Sequence, residues 1–415
     1  MSASSFEEAA HWSLAKRIAF RFAFSYLVLY NFPFPFNMVW ERALGWETMW
    51  EAIVKAVAKQ FFGVTIVIAI PGSGDTTYDY YRLLCLFVVA CVATLIWSLL
   101  DRRRLEYARL YEWLRIYIRF SLACTMFLYG TAKIIPAQFV APGLDRLLQS
   151  FGDASPMGLL WTFMGASAGY TMFTGAGEML GGILLTFRRT TLIGALVTIA
   201  VMSNVVALNF FYDVPVKLYS MHLLAMAVFL VLPDAKRLAQ TFFLHHPSEV
   251  VQGRWPRIAG IVLRTALVVF VIVKGLQFSI EARTYNTARS PMRGIWNVDT
   301  LVIDGVNRPP LVTDDTRWRR IVIDRPDVIA IYPMVGRRLR YGLELDEKKG
   351  TMLLIKADES KWPFTFHRPV PTTMVIDGAL NGRKIHATLR KSDEDAAFRL
   401  TTRGFHWINE LPFNR

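Results

Sequence analysis

Four ionisable side chains stand within long apolar stretches of this chain: Lys133 in YGTAKIIPAQF, Glu178 in GASAGYTMFTGAGEMLGG, and Asp213 and Lys217 in LNFFYDVPVKLYSM. A charge carried into hydrocarbon is costly unless it snorkels or pairs, so each marks a candidate functional site. Glu178 is the hardest to explain otherwise, lying roughly nine residues, or ~13 Å of helix, from Arg188 at the end of its run. His222 falls at a similar depth in a later run, and Asn204 somewhat further out. A carboxylate and an imidazole flanked by an amide can relay protons or grip a quinone-type carbonyl or hydroxyl. Quinone is therefore the cofactor class that the trio suits.

The remaining charges sort into an outer layer. Lys133, Asp213 and Lys217, with Asp75 and Asp79 ahead of the second apolar run, sit at one end of their runs and describe a basin for a polar or anionic head group. Gln138 stands beside its entry, and Tyr129 and Asn209 are further ligand-binding candidates. Paired with Asp213, Lys133 stays charged; unpaired, it becomes a candidate base. Each assignment has a structural alternative. Lys133 could snorkel while Asp213 and Lys217 form an ordinary loop ion pair, and Glu178 could be a bundle-holding polar contact worth ~0.6 kcal/mol.

These residues need a membrane scaffold, and the composition supplies one. With 415 residues, 53% hydrophobic and 19% charged, at mean hydropathy +0.31, the chain is too apolar for a soluble protein and too charged to lie wholly in a membrane. Apolar runs at 18–36, 80–100, 115–135, 157–187, 190–211, 216–232 and 258–280 predict about seven transmembrane helices. The stretch 48–70 is amphipathic and predicts a helix lying on the membrane surface. Gly165, Gly169, Gly177 and Gly181 form a small-residue stripe for close helix packing. The long run 157–187 predicts a tilt or a break near Gly175–Gly177.

Basic clusters at Lys16-Arg17, Asp101–Arg104, Arg188-Arg189 and Lys236-Arg237 through Arg254 and Arg257 fall on one side if the helices alternate. The positive-inside rule then places the N-terminus in the cytoplasm and the C-terminus outside a bacterial inner membrane. The opening MSASSFEEAAHW carries no cleavage pattern and predicts an uncleaved first helix. The net charge of +14 thus serves topology and anionic lipid head groups rather than nucleic acid. Arg119, Arg264 and Lys274 are expected to snorkel.

Cys85, Cys91 and Cys124 all lie in apolar runs without a CxxC pair, which argues against disulfide, zinc or thiol-relay chemistry. His245-His246 with Glu249 reads as a solvated loop, and His367, His386 and His406 are too scattered for a site. No GxSxG, P-loop, HExxH or dinucleotide fingerprint is present in a usable context.

Beyond Arg283 the texture changes to short alternating runs punctuated by Asp304-Gly305, Lys349-Gly350 and Asn381-Gly382. That pattern predicts eight to nine antiparallel strands over 284–415, closed as a small β-barrel. Gly294-Ile295-Trp296 resembles the first-strand GxW of lipocalin-type barrels, in which a late arginine, here Arg399 or Arg403, packs over the tryptophan.

Tyr129-Gly130 with Lys133, Gly177-Glu178 with Gly181-Gly182, and the following ILLTFRRTTLIGALV resemble the DoxX-like membrane family over roughly residues 110–235. That family is related to the HTTM domain of vitamin K-dependent gamma-carboxylase. The resemblance implies a helical membrane bundle whose relatives include a thiosulfate:quinone oxidoreductase subunit. The carboxylase also carries a β-rich extracytoplasmic tail after its helices. Its catalytic motif has no residue-by-residue match here, so gamma-carboxylation is not implied. Three functions follow as expectations: a membrane enzyme or subunit acting on a quinone- or lipid-like amphiphile, a carrier passing an amphiphile to the barrel, or an accessory protein docking a partner at the outer face.

Overall fold

The computed structural model describes residues 12–38, 45–68, 73–242, 258–393 and 398–404. Two compact units emerge. One draws on the chain up to Ile135 and on Met172–Ser279; the other draws on Pro136–Thr171 and the chain from Ile280 onward. The sequence reading set a single boundary near residue 283, whereas the segment 136–171 folds with the strands.

The helices are α1 Leu14–Asn31, α2 Trp46–Phe62, α3 Thr77–Leu100, α4 Ala108–Ile134, α5 Leu144–Leu147, α6 Pro156–Ala166, α7 Ala168–Thr186, α8 Thr191–Phe211, α9 Lys217–Val231, α10 Ala235–Phe242 and α11 Ile258–Thr287. Four stretches are long and apolar enough to cross a membrane: Thr77–Leu100, Arg188–Phe211, Lys217–Thr241 and Thr265–Thr287. The amphipathic stretch forms α2, a 17-residue helix that ends at Gly63 in the left-handed conformation and buries Trp50, Val54 and Ala58 along one stripe.

The long run 157–187 is broken, but not where its glycines predicted. The interruption falls at Ser167, between α6 and α7, and α7 runs unbroken through Gly175–Gly177. Ser167 is extended and its hydroxyl accepts from the Tyr170 amide, a capping arrangement that restarts the helix.

Within the helical unit α4 is central, with every residue from Ser121 to Phe127 buried. A helix enclosed on all faces must be surrounded by others. Its Leu114, Ile118, Leu122 and Met126 join Phe20 of α1, Leu185 of α7, Met202 of α8, Leu223 and Met226 of α9 and Val271 of α11 in one apolar core.

In the second unit, β1 Gly294–Ile303, β2 Val306–Asn307, β3 Trp318–Ile323, β4 Val328–Pro333, β5 Leu339–Asp346, β6 Thr351–Ile355, β7 Lys361–Val370, β8 Thr373–Leu380 and β9 Arg383–Ser392 form an antiparallel sheet. Sequential pairing from β3 to β9, with β1 bonded to both β3 and β9, closes an eight-stranded barrel to which β2 is appended as a hairpin arm. Two tight turns use the residues their geometry requires: Asp304-Gly305 and Asn381-Gly382 both have positive φ, as a two-residue primed turn demands. The barrel interior is packed with side chains, including Trp296, Leu301, Ile321, Ile331, Leu354, Phe364, Ile376 and Leu389. Trp296 is 1% exposed and its indole N–H donates to Met292 O at 3.0 Å. Arg399, in a last short helix α12 Arg399–Thr402, is exposed.

The segment 136–171 joins this unit through α5. Leu144 inserts beside Ile295, Val322 and Ala330 on the outer face of the sheet. Asp145 accepts bonds from the Tyr332 hydroxyl at 2.7 Å and Arg338 at 3.0 Å, and also pairs with Arg340. The Leu144 amide donates to Asp324 at 3.1 Å.

Turn carboxylates give the barrel a predictable acid response. The Ser360 hydroxyl and amide hold Asp358 down at about 2, and amides and hydroxyls of the following residues likewise hold Asp314 and Asp346 below the usual carboxylate value. A depressed carboxylate stabilises fully above its unfolded value of ~3.9 and loses that contribution as pH falls through its folded value. The barrel's thermal midpoint should therefore drop between pH ~4 and ~2, and Asp358→Asn should flatten that slope; an unchanged slope in the variant contradicts the assignment.

Candidate functional site

The helical unit brings α4 and α7 together backbone to backbone. A methyl group built on Gly175 would lie 2.7 Å from Lys133 Cβ and 2.9 Å from Gly130 O. One built on Gly130 would meet Gly175 O and Met179 N at 3.1 Å. Gly182 faces the Phe127 ring and Ala123 O in the same row, at 2.9 and 3.2 Å. Only glycine permits this approach. Further along, Gly275 of α11 meets Thr131 of α4, and Gly181 of α7 meets Thr198 of α8.

At that crossing Lys133 Nζ donates to Glu178 Oε1 at 2.5 Å. The two residues are 6% and 3% exposed, so the pair is enclosed on all sides. Lys133 Nζ also stands 5.5 Å from the centre of the Tyr129 ring, a cation–π contact, and Tyr129 leans on Tyr219 at 6.3 Å. Glu178 Oε2 is buried and has no hydrogen-bond partner among the described residues. A carboxylate oxygen buried without a donor costs roughly 1–3 kcal/mol or more. The site is thus a charge pair with one unfilled acceptor position.

The sequence assigned Lys133 to an outer basin and Glu178 to a separate interior layer with His222. The structure regroups them. Lys133 faces Glu178, whereas His222 is held by α1: its Nε2 meets the Tyr26 hydroxyl at 2.7 Å and its ring stacks on Tyr30 with centroids 4.0 Å apart. Because Nδ1 meets a carbonyl, Leu218 O, at 2.7 Å, it carries the ring proton, leaving Nε2 to accept from Tyr26. Asn204 is exposed on α8.

The other basin residues terminate helices. Asp75 accepts from the amides of Lys217 and Leu218 at 2.8 and 2.9 Å, capping α9 from 142 residues away. Asp79 and Thr76 form a reciprocal capping box on α3. Lys217 pairs with Asp213 at 3.0 Å, and Asp213 is exposed at positive φ in the α8–α9 turn. Asn209 fixes that turn through Ser220 Oγ at 3.0 Å and Val216 O. Gln138, half-buried, belongs to the barrel unit, where its Oε1 lacks a partner among the described residues. His386 pairs with Asp377 at 2.6 Å on the barrel surface. His245, His246, Glu249 and His406 lie outside the described residues, as does the Arg264 side chain.

Two arginines expected at the surface, or not singled out, are interior. Arg119 is buried and bonds Thr191 Oγ1 at 3.3 Å, while Lys274 is exposed. Arg21, which the sequence reading missed, is 2% exposed and bonds the Tyr107 hydroxyl, Ser98 Oγ and Asp101 O. Its signal was available: an arginine four residues past Arg17 inside an apolar run.

No family model and no solved structure matches the chain. Over 126 residues, 30% of its length, the chain is 32% identical to YwoB of Bacillus subtilis (strain 168), described as an uncharacterized protein, and covers 79% of that protein. The chain belongs to the same family as YwoB.

If the crossing positions the pair, Gly175→Ala should destabilise by roughly 1–3 kcal/mol through overpacking. Gly169→Ala, which adds a methyl to open space, should be neutral or mildly stabilising. Thermal melts of the two variants in detergent decide the point; equal midpoints contradict the close packing.

Proposed function

We propose that this chain is an integral inner-membrane protein that engages a quinone- or lipid-like amphiphile through the Lys133–Glu178 pair. The unfilled Glu178 Oε2 carries the reading: a buried carboxylate oxygen beside an ammonium calls for a donor, and an amphiphile hydroxyl can supply it. Lys133 then offers a proton or a positive charge to an adjacent carbonyl oxygen while Glu178 accepts a hydroxyl proton. Donation and acceptance side by side suit recognition of a quinone carbonyl by Lys133 and of a quinol or lipid hydroxyl by Glu178.

The DoxX-like resemblance supports the same reading, because Tyr129-Gly130, Lys133 and Glu178 are among its residues and now lie at one crossing. In this reading seven helices cross the membrane, with α1, α4 and α7 joining the four most apolar ones despite their buried charges. The N-terminus is cytoplasmic and the barrel, lipocalin-like in its strand order, is periplasmic. His222 and Tyr26 are a separate polar contact between α1 and α9 that tunes packing near the pair's unit.

A second reading is favoured by one observation. The barrel core is filled by apolar side chains, and a cleft of about 600 Å³ among β5–β8 residues including Leu345, Met352 and Phe364 sets any cargo at the edge of the barrel and not at its centre. An accessory protein using the barrel exterior to dock a partner is the better alternative.

Mass spectrometry of lipids retained by the purified full-length protein separates these. The wild type should retain a defined hydroxyl- or carbonyl-bearing amphiphile, and Glu178→Gln should lower its retention about tenfold, the loss of one charged hydrogen bond. A well-folded Glu178→Gln protein with the wild-type lipid complement contradicts the proposal, and a stoichiometric co-purifying protein in its place supports the docking alternative.

A further inference from the structure

Independently of the ion pair, the barrel unit holds a cleft of about 440 Å³ between residues 140–146, α6 and the outer faces of β3–β5. Its charge balance is uneven. Arg146, Arg325 and Arg340 line it, with Arg293 and Arg338 paired into its wall. The carboxylates present are already engaged. Asp145 is shared by Tyr332, Arg338 and Arg340; Asp324 takes Arg293 Nε at 2.8 Å and the Leu144 amide; Asp327 takes Arg325 at 2.9 Å.

Arg146 is the cation left over. Its Nη1 donates to the neutral amide oxygen of Gln149 at 2.6 Å, and no carboxylate pairs with it among the described residues. Burial first, then Arg338 and Arg340, push its guanidinium below the ordinary arginine value against the opposing pull of Asp145. The first turn of α6 adds to this, since a methyl built on Gly158 would stand 2.8 Å from Nη1, placing the positive end of that eleven-residue helix against the guanidinium. Positive potential from three sources therefore converges on a half-buried arginine at the edge of a cleft.

We propose that this cleft binds a phosphate-type anion, with Arg146 as its principal cation, Arg340 and Arg325 flanking, and Thr162, whose hydroxyl donates to Gly158 O at 2.8 Å, and Trp161 on the opposite wall. Arginine suits this ligand because its fork matches the paired oxygens of a phosphate. The same chemistry is offered by a soluble phosphate compound and by the head group of an anionic phospholipid.

Two measurements on the full-length protein in neutral detergent distinguish the sources. In the first, phosphorus NMR follows line broadening of inorganic phosphate; in the second, the protein is reconstituted in phosphatidylcholine nanodiscs doped with phosphatidylglycerol, re-extracted, and assayed for retained phosphatidylglycerol. Wild type should give a saturable signal in at least one of them. Arg146→Gln should weaken it about tenfold or more, as expected for a lost charge-assisted bond. Arg146→Lys, which keeps the charge and loses the fork, should weaken it less than Arg146→Gln does, and Arg340→Gln should weaken it in the same direction. Arg368→Gln, at an exposed pair with Glu347 on β7, should leave it unchanged. Saturable inorganic phosphate binding assigns a soluble phosphate ligand; retention of phosphatidylglycerol alone assigns a lipid head group. Absence of both signals in the wild type, or signals that Arg146→Gln and Arg340→Gln leave intact, overturns the proposal.

Discussion

The helical unit depends on a close approach, the meeting of Gly130 and Gly175 where α4 crosses α7. Helices in a membrane gain little from burying apolar surface against one another, so contact between them rests on van der Waals packing and on polar bonds. Removing two side chains at the crossing lets the backbones touch, and the residues one turn along, Lys133 and Glu178, then have no direction in which to snorkel. Taking both charges out of water costs several kcal/mol for each ion, which their attraction offsets only when the geometry is good and the remaining lone pairs are satisfied. Here Oε1 is bonded at 2.5 Å and Oε2 is not. The geometry fixes the pair tightly but leaves one acceptor position unfilled among the described residues, the observation on which the proposed ligand rests.

By contrast, several other polar groups of the helical unit are engaged by the protein itself. Asp75 and Asp79 cap helices, Asn209 closes a turn, and Arg21 is bonded by Tyr107, Ser98 and the Asp101 carbonyl. Their bonds are accounted for within the protein, so they position elements rather than wait for a ligand. The Asp75 contacts are the clearest case: two amides at the start of α9 are satisfied by a carboxylate from the loop before α3, which ties two apolar helices together at one end.

Much of the architecture was legible in the residues. Period-two alternation and Asp-Gly and Asn-Gly turns foretold the closed barrel, and Lys133 and Glu178 stood out as charges in apolar runs. Their partnership did not, because depth along two helices does not specify which faces meet. The glycine stripe caught only part of the tight packing: Gly165 lies against Val140 O and Gly181 against Thr198 Oγ1, yet the contacts at the α4–α7 crossing come from Gly130, Gly175 and Gly182, a set that spans two helices. Likewise, Glu178 and His222 were matched by depth, but His222 faces α1. The docking of 136–171 onto the sheet rests on Leu144 and Asp145, two residues whose partners lie about 180 positions away, a distance at which sequence pattern carries no signal.

The central claim is that Glu178 Oε2 is completed by something other than the protein. An electron-microscopy density map of the full-length protein, purified gently in its own lipid, tests this most directly. Elongated non-protein density with a polar end within hydrogen-bonding distance of Glu178 Oε2 is the expected result. A protein donor seated on that oxygen, or a lone water in a closed apolar pocket, contradicts it.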